Sequence, residues 1–320
     1  MNYTISLKGM TLAATLSVTG AAAFAQECPA DFPSGPINFV VGFGAGGGTD
    51  AIARGVAAAI EVQQGWTVVV DNRPGAGGGV AAALIKEETP DGYTIGAVGS
   101  DTVSLLPYTS ADVTYRWSDF DYLGSGMQIN FGLVTLADSP FSTLEEFVEY
   151  AREEGRATIS VGGVNQEVLV RQMSEHFGVN FIAVPGNGAA DALQSALGGH
   201  VDATTQGTRH VQQVLSGNMK QIATLIDRRV DSAPDTMTLT ESGMDESASI
   251  LGYTIFMMPK DVDPAIQACL AGAFDQAINS DSYGELMANF NNKPANLGPD
   301  GVAALVERLS TNYAQVFADN

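Results

Sequence analysis

Apolar residues in this chain cluster in short runs, and most of these runs stop at glycine or a small polar residue just before a stretch with helical spacing. The first unit is INFVVGFGAGGGTD, residues 37–50. Phe39, Val40, Val41 and Phe43 predict a buried strand that ends in Gly42, Gly44, Gly46, Gly47 and Gly48. Thr49 and Asp50 then offer N-cap side chains to a helix over residues 51–63. Residues 66–70 predict a second strand, parallel to the first by β-α-β logic, and residues 72–79 a second glycine turn that runs into another helix. A third strand over residues 93–98 ends in Gly99-Ser100-Asp101-Thr102. Strand ends of this kind gather along the carboxyl edge of an open α/β sheet, where ligands bind.

The pattern then changes. Residues 103–122 read as loop, with Pro107, Tyr108, Tyr115, Trp117 and Phe120. A strand is predicted over residues 130–135 and a helix over 142–154, opened by a capping box of Ser142 and Glu145. A new β-α series follows: strand 158–161, turn Gly162-Gly163-Val164-Asn165, helix 167–177, strand 181–184, turn Pro185-Gly186-Asn187-Gly188, helix 189–197, strand 201–205, Gln206-Gly207, helix 208–216 and strand 221–226. A strand over 254–258 and helices over 264–279, 283–289 and 300–317 complete the chain. The fold class is α/β. Residues 26–129 with 254–320 form one lobe and residues 130–253 the other, a clamshell with glycine turns facing its cleft from both sides.

The N-terminus adds a destination. Lys8 is the only charge before Glu27, an apolar and small-residue run follows it, and Ala23-Phe24-Ala25 is a cleavage signal. Residues 1–25 read as a secretory signal peptide cut after Ala25, which makes the protein periplasmic. The apolar run is short and contains Thr and Ser, so it suits a membrane anchor poorly. Cleavage leaves 295 of 320 residues, and loss of Lys8 takes the formal charge from −21 to −22. Such acidity excludes nucleic acid and anionic membranes as partners. It also means that an anionic ligand must be held by local dipoles. Cys28 and Cys269 are the two cysteines; in an exported protein they either pair or stay as free thiols, with Cys269 then a small buried hydrophobe.

Candidate chemistry narrows the function by elimination. Gly42-x-Gly44-x-x-Gly47 fits a dinucleotide fingerprint, with Asp71 as the ribose acid, but five of the seven residues 42–48 are glycine, so the match is weak. Neither glycine turn is followed by Gly-Lys-Ser/Thr. His176, His200 and His210 have no ligand at metal-binding spacing. No nucleophile elbow or Cys–His pairing is present, so no enzyme, no cofactor and no metal are expected. Arg54 and Arg73 are able to clamp a carboxylate; the plainer reading puts Arg54 on a solvated helix face and Arg73 on turn carbonyls.

Three blocks in order carry a resemblance: Phe43-x-x-Gly46-Gly47-x-Thr49-Asp50-x-x-Ala53-Arg54, then Asp71-Asn72-Arg73-Pro74-Gly75-Ala76-Gly77-Gly78, then Pro90-Asp91-Gly92-Tyr93-Thr94. They resemble the Bug family, the solute-binding proteins of tripartite tricarboxylate transporters. Leu106-Pro107-Tyr108, Trp117-Ser118-Asp119-Phe120, residues 188–202 and the run near Gly252 extend the similarity over nearly all the exported chain. The resemblance implies a two-lobe periplasmic binding fold, no catalysis, and a small carboxylate held between glycine loops, partly through ordered water, for delivery to integral membrane transporter subunits.

By that likeness Phe43, Gly46, Gly47, Thr49 and Asp50 form one side of the pocket, with Ser100 and Asp101 beside them; Gly48 and Thr102 join as members of the same donor turns, and Asp50 either caps the first helix or touches ligand. Gly163, Asn165, Gln166, Gly186, Asn187 and Gln206 would read the far end of the ligand. Two departures fall in this second group. Gly163-Val164-Asn165-Gln166-Glu167 stands where the family commonly has Gly-Ser-x-x-His, and Thr205-Gln206-Gly207 stands where it often has Phe-Asp-Gly. Loss of the acid leans toward a dicarboxylate. The protein is expected to be a monomer; a receptor feeding a signalling partner and an exported enzyme are the alternative readings.

Overall fold

The structure is a computed structural model and describes residues 28–186, 188–245 and 248–318. The predicted signal peptide lies outside the described residues. The chain first runs through β1 (Ile37–Val41), α1 (Gly48–Gln64), β2 (Val68–Asn72), α2 (Gly79–Lys86), β3 (Thr94–Gly99), α3 (Ser100–Ser104), α4 (Leu106–Thr109) and β4 (Phe120–Gln128). It continues as β5 (Gly132–Leu136), α5 (Leu144–Glu153), β6 (Ala157–Val161), α6 (Val164–Phe177), β7 (Phe181–Pro185), α7 (Ala189–Leu197), β8 (Ala203–Gln206), α8 (His210–Leu215) and β9 (Met219–Thr224). It returns as β10 (Tyr253–Pro259), α9 (Pro264–Ile278), α10 (Asp281–Asn289) and α11 (Gly298–Ala318).

Two five-stranded sheets result, ordered β2-β1-β3-β10-β4 and β7-β6-β8-β5-β9. In each, the strands that precede glycine turns pair in parallel, as β-α-β connections require, and the strands that cross between the sheets pair antiparallel. The crossing segments touch: the Ile129 N–H donates to the Gly252 carbonyl at 2.7 Å. Gln128 and Asn130 beside them are bonded by the Arg228 guanidinium.

Each sheet is covered on both faces. One face of the first packs Phe39 against Phe256 and Phe274, all fully buried, beneath α1 and α9. The other packs Val40, Val98, Ile255 and Tyr115 under α2 and α11. In the second sheet Phe147 stacks on Phe181 at 5.0 Å over Leu133 and Ile159. Cys28 and Cys269 form a disulfide that ties the entry segment to α9.

Several elements differ from expectation. Residues 103–122, read as loop, hold α4 and the start of β4. β4 was hidden by Gly124-Ser125-Gly126, which break its apolar pattern. Gly126 is needed there, since a Cβ would lie 2.6 Å from the Tyr283 hydroxyl and 2.8 Å from Ile52. The cap of α5 sits one residue later than Ser142: Thr143 accepts the Glu146 N–H, and Glu146 reaches back to the Ser142 N–H. α1 begins at Gly48 with Gly47 as N-cap, so Thr49 and Asp50 lie inside its first turn.

Candidate functional site

β1 delivers the chain into the first glycine loop at the carboxyl edge of its sheet. A Cβ on Gly42 would lie 2.9 Å from the Gly78 Cα, so the two glycine loops pack backbone against backbone. Gly46 turns the chain with a φ of +76°, which favours glycine. Gly47 has no side-chain cap, and the N–H groups of Gly48, Thr49 and Asp50 have no partner among the described residues. These are the orphan donors of a 17-residue helix, at its positive end.

Asp50 is neither a cap nor a residue of the cleft wall. Its carboxylate is buried behind the loop and accepts from the Gly46 N–H at 2.9 Å, Asn72 Nδ2 at 2.8 Å and Arg54 Nε at 3.0 Å. Arg54, expected on a solvated face, donates also to Asn72 Oδ1, while Asn72 donates to the Phe43 carbonyl. The three side chains staple the loop to α1 and β2. Burial alone would raise the Asp50 carboxyl; the bonds from Arg54, Gly46 and Asn72 outweigh it and hold the group below its ordinary value. Arg73 pairs with Asp71 rather than with turn carbonyls.

The Ser100-Asp101-Thr102 turn is the first turn of α3, and its side chains serve the scaffold. Ser100 Oγ accepts the Tyr253 N–H at 3.1 Å, which holds the returning strand, and Thr102 Oγ1 donates to the Gly77 carbonyl at 2.8 Å. Asp101 accepts from Asn165 Nδ2 of the second lobe at 2.9 Å, and burial pushes its carboxyl up to about 6. None of the three lines the cleft described below. The folded state therefore holds a proton on Asp101 that the unfolded state releases, so this group makes the protein more stable as pH falls. From about pH 7.5 to about pH 5.5 the gain should be about fourfold in the folding equilibrium. Asp101→Asn should remove that slope, read as the difference between the two proteins' urea midpoints at each pH without ligand.

On the opposite wall Gly163 is the N-cap of α6, which begins at Val164 rather than at residue 167. Asn165 Oδ1 accepts the Gln166 N–H, and its amide is spent on Asp101, away from the cleft. Gln166 Oε1 accepts from the Gly162 N–H and Thr205 Oγ1, and its Nε2 has no partner among the described residues. Gly186 borders a separate hollow with Ser160, Asp191 and His200. Gln206 is fully buried, with Nε2 on Thr204 Oγ1 and Oε1 without a partner among the described residues. Asn187 lies outside the described residues.

Between the sheets lies a cleft of about 630 Å³. Of the expected residues it brings together Phe43, Gly46, Gly47, Gly48, Thr49 and Gln166. It adds Ile52, Met127, Ile129, Thr254 and the Asn289-Phe290-Asn291 corner from the first lobe. From the second it adds Phe131, Ala189, Gly207, Thr208, Arg209, Val211 and Gln212. Arg209 had a legible signal: it follows a strand-ending glycine and has no acid three or four residues away on either side. The Asn289 corner had none.

Two α/β lobes joined by two crossing strands, with glycine loops and unpaired helix N–H groups facing a common cleft, define a two-lobe solute-binding protein. The tripartite tricarboxylate transporter family receptor model, TctC, matches residues 52–315, and the chain belongs to that family of periplasmic binding proteins. It is 33% identical to the UPF0065 protein of the gbd 5' region of Cupriavidus necator, over 95% of this chain and 97% of that protein. A TctC solute-binding protein from Polaromonas, solved without ligand, superposes with a TM-score of 0.78 at 26% identity, covering 90% of this chain and all of that one. The periplasmic binding protein BugD superposes at 0.73 with 26% identity, over 90% of this chain and 98% of that one.

Proposed function

We propose that this protein is an exported, monomeric receptor that captures a small carboxylate in its cleft and presents it to membrane subunits of a tripartite transporter. Residues 26–129 with 254–320 act as one lobe and 130–253 as the other, after removal of residues 1–25. One observation carries the reading. The free N–H groups of Gly48 and Thr49 open into a cleft whose described wall contains no Asp or Glu, in a chain with 36 acidic residues. Backbone donors at a helix N-terminus suit an anion; the wall itself offers no carboxylate to repel one, and the Asp50 carboxylate behind the loop is paired with Arg54. Closure of the lobes on ligand is the state a transporter would recognise, and the protein releases its ligand unchanged.

The test is a thermal-shift panel of mono-, di- and tricarboxylates, aromatic acids, amino acids and NAD. A ligand at about 100 times its Kd should stabilise the protein by about 2.7 kcal/mol, a rise of several degrees. A shift for NAD with none for any acid would return the dinucleotide reading. Chemical conversion of the bound acid on incubation would make the protein an enzyme.

A further inference from the structure

The cleft carries a charge pattern unlike that of the protein around it. Arg209 is the one cationic side chain on its described wall. It is exposed, and among the described residues it has no ion pair and no hydrogen bond. Arg54, Arg73, Arg152 and Arg229 each sit on a carboxylate. Arg209 belongs to the second lobe, whereas the unpaired N–H groups of α1 belong to the first. The cleft thus has a positive group on each side. Phe43, Ile52, Met127, Ile129, Phe131 and Phe290 fill much of the wall.

We infer that Arg209 binds a second carboxylate, and that the ligand is an elongated dicarboxylate with an apolar body, aliphatic or aromatic. This rests on the carboxylate reading above and narrows it. A guanidinium offers a planar pair of donors that matches a carboxylate, and it strengthens as water leaves a closing cleft. Hydroxylated acids fit less well, because apolar side chains outweigh Gln212, Thr254, Asn289 and Asn291 on the wall, and a hydroxyl set against them lacks a partner. Amino acids fit poorly too, because no acidic side chain on the described wall faces an ammonium group. Gln166 lines the same cleft, and among the described residues its Nε2 has no partner.

Calorimetric titration of matched acids decides it, with adipate against hexanoate, terephthalate against benzoate, and malate and glutamate as polar probes. The purified protein should bind the better diacid at least about tenfold more tightly than its monoacid. Arg209→Gln should erase that preference, lowering the diacid to the level of the monoacid and leaving the monoacid within about twofold. Arg209→Lys should restore part of it. Arg209→Gln should melt with the unmodified protein when no ligand is present, since the side chain has no partner to lose. Equal loss for diacid and monoacid would mean that Arg209 holds a sole carboxylate, and an unaffected diacid would mean that it holds none; either overturns the inference. A preference for malate or glutamate over both apolar diacids overturns the apolar body. If no acid of any class binds the unmodified protein, the carboxylate reading itself has failed.

Discussion

Asp50→Ala is expected to lower stability by about 2–3 kcal/mol and ligand affinity by about a hundredfold or more. The carboxylate is the shared acceptor for the Gly46 N–H, Asn72 and Arg54, so its removal strands three donors at once. Gly46 is the loop's left-handed residue, and its N–H bond to Asp50 holds the loop down over the start of α1, beside the bond from Asn72 to the Phe43 carbonyl. Freed, the loop no longer fixes where Gly48 and Thr49 direct their N–H groups, and a fixed direction is what makes such donors effective. Arg54 is half-exposed, so part of its loss is made good by water, which keeps the stability effect below that of a fully buried pair. Asp50→Asn keeps one acceptor and should fall between the two. The pH response has a definite sign. A carboxyl held below its ordinary value stabilises the protein above the unfolded pKa of 3.8 and loses that contribution as pH falls through the lower folded value. Asp50→Ala should therefore be less sensitive to acid than the unmodified protein. Urea unfolding with titration of a bound acid measures both effects; affinity preserved in Asp50→Ala would show that the staple does not organise the site.

The first glycine loop was legible because its constraints are local. A strand that breaks into five glycines before a helix start has few other conformations, and backbone donors need no side chain to reveal them. The two lobes were legible from the order of strands and helices, and the disulfide from the count of cysteines in an exported chain, though its formation was left open. What sequence did not show was which polar side chains had already been used. Ser100 and Thr102 have the residue types of ligand contacts, yet their hydroxyls hold β10 and the second glycine loop. Asp50 was weighed as a cap or a contact, and its third role depends on Asn72, which is 22 residues away and arrives only through pairing of β1 with β2. Asn165 was expected in the cleft and is instead bonded to Asp101 across the lobes. Phe290 and Asn291 reach the cleft from the end of α10, a placement set by how that helix packs on α1, which no short window encodes.

Loss of the disulfide is expected to lower stability by about 3–5 kcal/mol and the melting temperature by on the order of 10 °C, with ligand affinity at low temperature unchanged. Cys28 and Cys269 are 241 residues apart, so the bond closes a loop that contains the whole second sheet, and the unfolded chain gains correspondingly more freedom when it is cut. The bond acts at the edge of the first sheet farthest from the site. Phe32, four residues beyond Cys28, packs at 6.2 Å from Trp66 and 5.2 Å from Tyr93, which stand just before β2 and β3. Ile266 of α9 meets the same corner at Gly92. The glycine loops leave the opposite ends of β1 and β2, so loosening this corner does not move them. Cys28→Ser is the better variant, because Cys28 is only half-buried whereas Cys269 is buried and would force a hydroxyl into the core. Thermal melts with and without reductant, beside melts of Cys28→Ser, should give the same lowered midpoint. Titration of a bound acid well below that midpoint should give the affinity of the oxidised protein. A parallel loss of affinity would show that the two edges of the first sheet are coupled, and an unmoved midpoint would show that the entry segment holds its place by packing of Phe32 alone.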